Sequence, residues 1–400
     1  MSPVLSSDIV LAGAVRTPIG RFGGALSRLA APELGAIAVR ASLKRGGLEP
    51  RQVSEVIFGN ARSAGLGPNP ARQVALAAGL PDTVPAFTIN QACGSGMRTI
   101  VSAVQAVALG DADVVVAGGC ESMSRVPYLL PEARWGKRLG HTPLVDGMYR
   151  DGFLCPLCGM LMGETAEKLA DRYRISRDEQ DTYAARSQNR AERARRAGLF
   201  SAEIVPVALP EGGGGEAASV EQDEHSREGV TAATLSRLPP VFRPGGTVHA
   251  GNSSGITDAG AALLVLEAQA ARSLGVVPMG RVVGYQAAGV DPSLMGIGPV
   301  PAVRRLLSEC ALNLDQIDLV ELNEAFAVQT LACVRDLDLA LERVNVNGGA
   351  ISLGHPIGAT GARIVVTLLH EMARRRARRG LATLCVSGGL GLALLLESTA

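Results

Sequence analysis

Aromatic side chains are scarce in this chain of 400 residues: Phe, Tyr and Trp make up 3%, with a single Trp. A surface that stacks bases needs several such rings, so a nucleic-acid platform is excluded. Charge of either sign is not in excess, because 39 Lys and Arg face 38 Asp and Glu for a net charge of +1. No global field therefore draws the protein to polyanions or anionic lipid. The run Arg374 to Arg379 is a local exception, read as a solvated helix C-terminus where cations meet the negative end of the dipole. No apolar run reaches the roughly 20 residues that cross a bilayer. A disulfide framework is missing as well, since the seven cysteines are odd in number and irregularly spaced. The N-terminus has no basic stretch followed by an apolar one, and Asp8 to Ala14 reads as an opening strand. These absences point to a reducing, cytoplasmic setting without membrane or nucleic-acid partners.

What is present is glycine, at 48 residues, in a chain that is 47% hydrophobic and 19% charged. Such a composition fits a soluble globular protein of two or three domains with closely packed elements. Apolar runs alternate with helical stretches, the pattern of α/β layers. Strands are expected at Val56 to Phe58, Phe87 to Asn90 and Val114 to Ala117, with a buried helix from Ser95 to Leu109. The C-terminal part repeats the order. Val282 to Tyr285 resembles the opening strand, Ile317 to Glu321 resembles Val53 to Phe58, Val344 to Gly348 resembles Thr88 to Ala92, and Leu384 to Gly388 resembles Val115 to Gly119. A helix from Ala359 to Arg375 follows the third of these, which implies an internal duplication. Between the halves, Ser122 to His249 has another texture. It holds Trp135, a Glu- and Arg-rich helical stretch from Gly163 to Ala197, and a Gly-rich region from Glu211 to Ser219 that reads as a flexible loop.

Chemistry gathers at glycine-rich turns. Cys93, in Asn90-Gln91-Ala92-Cys93-Gly94-Ser95-Gly96, stands after a strand and before a helix. There the unpaired N–H groups of the helix start can stabilise a thiolate and lower its pKa. His355, in Gly354-His355-Pro356-Ile357-Gly358, sits on a rigid loop suited to a general base. Cys385 precedes Ser387-Gly388-Gly389 in what reads as the same loop geometry, and alone it reads as structural. Asn323 is a strand-end residue able to hold a water or a carbonyl oxygen. A competing signal is Gly251-Asn252-Ser253-Ser254-Gly255, which matches a nucleophile elbow with a helix expected from Asp258 to Ala270. Asp318 and His355 follow in hydrolase order, so Ser253 is an alternative nucleophile. Cys155-Pro156-Leu157-Cys158 has metal-ligand spacing without a second pair nearby. His370-Glu371 reads as solvated helix surface.

Taken together, the motifs resemble the thiolases over essentially the full length. The matching segments are Arg16-Thr17-Pro18-Ile19-Gly20, Asn90 to Met97, Gly118 to Ser124, Met162 to Glu167, Ala250 to Gly255, Asn323 to Ala327, and Gly348 to Ala359, followed by Cys385 and its glycine tail. The resemblance implies a five-layered αβαβα fold from two related halves. Residues 1–122, completed by about 256–275, would form one half and 276–400 the other, with 123–255 as an inserted loop domain. It implies acyl transfer between coenzyme A and 3-ketoacyl-CoA through an S-acyl Cys93. His355 would activate the thiol and, with a water on Asn323, stabilise the enolate oxygen. Cys385 would exchange the α-carbon proton, and the N–H groups of Cys93 and Ser387 would form a second oxyanion site. Coenzyme A, a substrate and not a resident cofactor, would lie near Met162, Arg227, Leu238, Phe242, Ala250, Ser254 and Phe326. No metal is implied, and the assembly would be a homodimer or homotetramer. Two positions depart from the family: Ser387 stands where a third glycine is common, and Leu161 stands where short-chain members often carry His. Rivals are a ketoacyl-synthase-like condensing enzyme, which lacks the second thiol, a serine hydrolase, and a non-catalytic acyl-CoA binder.

Overall fold

The computed structural model describes residues 7–209 and 218–399. In chain order the elements that carry the argument are β1 (Ile9–Arg16), α1 (Ala31–Gly46), β2 (Glu55–Gly59), α2 (Pro70–Ala77), β3 (Ala86–Ile89), α3 (Ser95–Leu109), β4 (Val114–Ser122), α4 (Met162–Tyr173), α5 (Arg177–Arg196) and β5 (Thr257–Glu267). They continue with α6 (Ala268–Leu274), β6 (Gly280–Gly289), α7 (Pro299–Glu309), β7 (Leu319–Leu322), α8 (Ala327–Leu337), α9 (Ala350–Leu353), α10 (Ile357–Arg375), β8 (Arg379–Val386) and β9 (Leu390–Glu397).

One sheet runs β7-β8-β9-β6-β1-β5-β4-β2-β3, with Gly20–Arg21 paired to the start of β5. Its two halves meet only at Val10↔Arg281 and Leu11↔Gly280, so each curls as a separate face. The duplication is visible in the order. Reading outward from the seam, β1, β5, β4, β2 and β3 on one side match β6, β9, β8, β7 and the isolated Val320↔Val344 bridge on the other.

Burial explains the layers. Helices α3 and α10 are apolar nearly all round, and they lie against each other between the two half-sheets in one core with Ile57, Leu263, Leu384 and Leu394. A helix with no polar face has to be buried on every side. Helices α1 and α2 cover the outer face of one half-sheet, and α7 with α8 covers the other. The result is the five-layered arrangement.

Several local expectations are corrected. Residues 258–270 form strand β5 and then the short helix α6, not one helix. Ten of the eleven residues of β5 are buried, so its continuous apolar run has no period to tell strand from helix. The helical stretch 163–197 is two helices, broken where Arg174 turns left-handed and Ser176 caps the second by accepting from the Glu179 N–H. Residues 344–348 make a single bridge, because Asn345 at φ 46° turns the chain away from a ladder. His370 is not solvated surface; it is half-buried and its Nε2 donates to the Ala14 carbonyl at 3.0 Å. The Gly-rich run lies mostly outside the described residues, and its end, Ser219–Val220, pairs with Val207–Ala208. At the end of α10, Arg374 and Arg375 both close onto Glu371 on an exposed helix terminus.

Candidate active site

The turn after β3 holds Cys93 through local hydrogen bonds. Asn90 Oδ1 accepts from the Ala92 N–H at 3.0 Å, and Ser95 Oγ accepts from the Gln91 N–H at 2.9 Å while donating to the Ala92 carbonyl at 2.7 Å. Ala92 is thereby kept at φ 45°, a left-handed position unfavourable for a residue with Cβ. Cys93 follows, half-buried, just ahead of α3. A side chain at Gly94 would press on Val386 and Leu392 at 3.0 Å, so glycine lets this turn dock against the β8–β9 hairpin.

That hairpin brings the two ends of the chain together. The N–H groups of Cys93 itself and of Ser387 bear on the Cys93 sulfur and draw its thiol pKa down. Ser387, Gly388 and Gly389 form the turn, with Gly388 at φ 89° and Gly389 at φ 82°. Ser387 is not left-handed, so a side chain there costs no backbone strain. Cys385 does not share the loop geometry of Cys93. It lies inside β8 opposite Gly391, because the apolar run resumes after three turn residues and folds back as β9. Cys385 is fully buried, and burial together with the nearby Cys93 pushes its thiol well above the usual range. The helix start does not make Cys93 acidic. Burial pushes its thiol up, while the Arg62 charge and the two N–H donors pull it back partway and Glu121 adds to the rise.

His355 lies between two helices, α9 and α10, and not at a strand end. Its N–H donates to the Gly255 carbonyl at 3.0 Å, and glycine precedes it because a Cβ at residue 354 would collide with Thr257. Nδ1 meets Thr360 Oγ at 2.6 Å, and that hydroxyl donates to the Pro356 carbonyl at 3.0 Å. With its one hydrogen spent there, Thr360 accepts from Nδ1–H, leaving Nε2 as a bare acceptor. Nε2 is buried and has no protein partner. Burial, then Arg363, then Arg62 hold this imidazole down to about 3, so it is neutral at working pH. Asn323 follows β7 with its N–H on the Thr383 carbonyl at 3.0 Å, and both side-chain polar atoms are buried without partners. An amide held open in this way is a receptor for a water or a ligand oxygen.

The residues beneath the site were not singled out in the sequence. Glu121 takes hydrogen bonds from Asn60 Nδ2 and from the N–H groups of Ala61, Arg62 and Gly358. Glu324 takes them from Tyr183, Ser187, Asn345 and the Ile351 N–H. Ala61, Met123, Met148 and Ile357 form an apolar cluster against which Cys93 and Phe153 pack. A carboxylate inside an apolar strand, as at Glu121, was the available signal.

Of the residues expected around coenzyme A, Met162, Phe242 and Phe326 share one cluster with Cys385. The Phe242 and Phe326 rings meet edge to face at 6.2 Å. Ser254 is fixed by its N–H to the Ala325 carbonyl at 3.0 Å, while Ala250 is exposed. Leu238 lies against Gly251. Arg227 is exposed, with its N–H on Gln188 Oε1 at 2.9 Å, two residues beyond His225, whose ring covers Gly255. Leu161 is half-buried immediately before α4. The serine-hydrolase alternative fails on geometry. Ser253 Oγ donates to the His249 carbonyl at 2.8 Å, Asp318 accepts from the N–H groups of Arg378 and Arg379, and His355 is turned to Thr360. Cys155 stands opposite Met160 in the small hairpin 154–161, and Cys158 lies in its turn.

A doubled α/β core that carries two thiols, a neutral imidazole and an open amide has the make-up of an acyltransferase. Two family models cover nearly the whole chain, "Thiolase, N-terminal domain" over residues 9–269 and "Thiolase, C-terminal domain" over 276–398. The chain belongs to the thiolase family. It is 50% identical over 391 residues to an acetyl-CoA acetyltransferase of Cupriavidus necator, covering 98% of this chain and 99% of that one. A Pseudomonas aeruginosa protein of the same name is 51% identical, with 97% and 99% covered. Among solved structures, the Bacillus anthracis acetyl-CoA acetyltransferase superposes with a TM-score of 0.96 at 46% identity, covering 99% of this chain and 100% of that one. Human mitochondrial 3-ketoacyl-CoA thiolase in complex with CoA gives 0.95 at 41%, covering 100% and 99%. Among the described residues, no helix is long and apolar enough to cross a membrane.

Proposed function

We propose that this thiolase makes and cleaves 3-ketoacyl-CoA by ping-pong acyl transfer through an S-acyl Cys93. In the cleavage direction the Cys93 proton leaves through His355 Nε2 and the sulfur attacks the 3-keto carbon. The N–H groups of Cys93 and Ser387 receive the oxyanion that forms. The C2–C3 bond breaks, and its electron pair becomes the enolate of acetyl-CoA, held by the Nε2–H of His355, which now carries the Cys93 proton, and by a water on Asn323. Cys385 gives its proton to C2. It then takes the proton of an incoming coenzyme A thiol, whose sulfur displaces acyl from Cys93, and His355 returns its proton to the freed Cys93 sulfur. Condensation is the same path reversed. The observation that carries this reading is the docking of the Cys93 turn against the β8–β9 hairpin, which brings the Ser387 N–H from the other half of the chain to bear on one half-buried sulfur.

In the same reading, residues 123–255 form a loop domain that holds coenzyme A along Met162, Leu238, Phe242, Ala250, Ser254 and Phe326, with Arg227 at its edge. The halves are 1–122 with 256–275, and 276–400. The enzyme works in a reducing cytoplasm as a homodimer or homotetramer, with no metal and no cofactor besides the CoA substrate. Leu161 favours a range of acyl chains wider than acetoacetyl-CoA. Acid-quenched protein from incubation with radiolabelled acetyl-CoA should carry the label on the peptide containing Cys93, and Cys93→Ala should lose both label and thiolysis. Label that survives the substitution refutes the assignment.

A further inference from the structure

We propose that Arg62 is a positioning residue of the acyl-transfer site, a fixed buried cation that favours the anionic form of the Cys93 sulfur. The inference rests on the S-acyl reading above and adds a residue to it. Arg62 is 7% exposed, and a buried arginine ordinarily comes with a carboxylate. Here Nη1 donates only to the carbonyl of its own neighbour Ala61, at 3.1 Å, and Nε has no partner. Among the described residues no carboxylate makes an ion pair with it. Glu121, close by, is engaged by Asn60 and three backbone N–H groups, and, against burial that pushes its carboxyl up, the Arg62 charge draws it down without a direct ion pair.

The surroundings are built around this charge. The Ala61 carbonyl that anchors the guanidinium also accepts from Asn90 Nδ2 at 3.4 Å, at the head of the Cys93 turn. The Ala61 side chain belongs to the apolar cluster on which Cys93 packs. Gly152 lets the main chain close over the guanidinium, since a Cβ there would lie 2.7 Å from Nη2 and 2.8 Å from Nε. Excluding water in this way lengthens the reach of a charge.

The charged and titratable groups that bear on the sulfur are Arg62 before α2, Glu121 on β4 and Cys385 on β8, while His355 before α10 feels both Arg62 and Arg363. Arg363 lies 3.5 Å from Glu321 and acts on His355, which leaves Arg62 as the cation acting on Cys93. Among the influences that draw the Cys93 thiol down, Arg62 is the largest, and the same charge opposes protonation of His355. The thiolate therefore forms opposite a guanidinium.

The test is the pH dependence of iodoacetamide alkylation of Cys93, read by mass spectrometry of its peptide, in wild type, Arg62→Leu, Arg62→Gln and Arg62→Lys. Arg62→Leu and Arg62→Gln should move the inflection up by about one pH unit and slow alkylation near neutrality about tenfold. Arg62→Lys should recover most of both. An unshifted profile in either neutral variant that keeps the wild-type circular dichroism overturns the proposal, and Arg62→Gln carries the test if Arg62→Leu does not fold. A raised KM for acetyl-CoA with an unmoved profile also overturns it, because Arg62 would then act on substrate. Alkylation needs no acyl-CoA, so a wild type that is alkylated yet never acyl-labelled refutes the S-acyl reading separately.

Discussion

Replacing His355 by Gln should remove a measurable acid sensitivity from the folded state. The imidazole titrates near 6.5 when unfolded and near 3 in the native site, where burial and two arginines oppose its charge. Between those values the unfolded chain holds a proton that the native chain lacks. Stability contributed by the neutral ring is therefore complete above about pH 6.5 and falls as pH drops toward the native value. At about pH 4.5 some two pH units have been crossed, a loss of roughly 2–3 kcal/mol. Gln can still meet the Thr360 hydroxyl, so packing is largely kept. The assay is urea unfolding of wild type and His355→Gln from about pH 7.5 to pH 4.5, with m-values checked for constancy. Other titrating groups, among them His225 at about 4 and Glu321 at about 8, are common to both proteins and cancel in the difference. The wild-type advantage should shrink by that 2–3 kcal/mol as pH falls. Curves that stay parallel would refute the claim that His355 is held neutral by its surroundings.

Cys385→Ala should leave radiolabelling of Cys93 intact while cutting kcat for cleavage and condensation by about 10²–10⁴; loss of labelling would put Cys385 in the acyl step instead. Gly119→Ala should lower the urea midpoint by an amount worth about 1–3 kcal/mol, because its Cβ would collide with the Gly358 carbonyl below the His355 turn. A wild-type midpoint would mean the backbone there has slack. Phe242→Ala removes the ring that crosses Phe326 and fills the space over Gly163. KM for CoA thioesters should rise several-fold with kcat little changed, and an unchanged KM would remove Phe242 from the binding surface.

The duplication was legible because it is carried by order. Four strand-like runs and a glycine-led helix recur, and each falls at the matching place in the sheet except 344–348, where Asn345 turns out of the ladder. Strand β5 was misread as helix because both of its faces are covered, by α1 on one side and α3 with α10 on the other. A run without a polar face shows no period. Cys385 was placed on a strand-like run but given the loop geometry of Cys93 because glycines follow both, and the hairpin register shows it inside the strand. Arg62 was silent for a different reason, and Glu121 signalled only as a carboxylate inside an apolar strand. Neither stands in a glycine-rich turn, and their importance comes from burial that the fold alone creates.

That burial also bears on how the site keeps its geometry. The open acceptor of His355 and the amide of Asn323 are polar groups out of water without protein partners, each costing about 1–3 kcal/mol. A flexible loop would turn such groups inward to satisfy them. Here they cannot turn. Thr360 fixes the imidazole and the Thr383 carbonyl fixes the backbone of Asn323, while Glu324 beside it is tied to Tyr183, Ser187, Asn345 and Ile351. The surrounding hydrogen bonds and the doubled core offset that cost, and they keep the open groups aimed at the space where charge develops during acyl transfer.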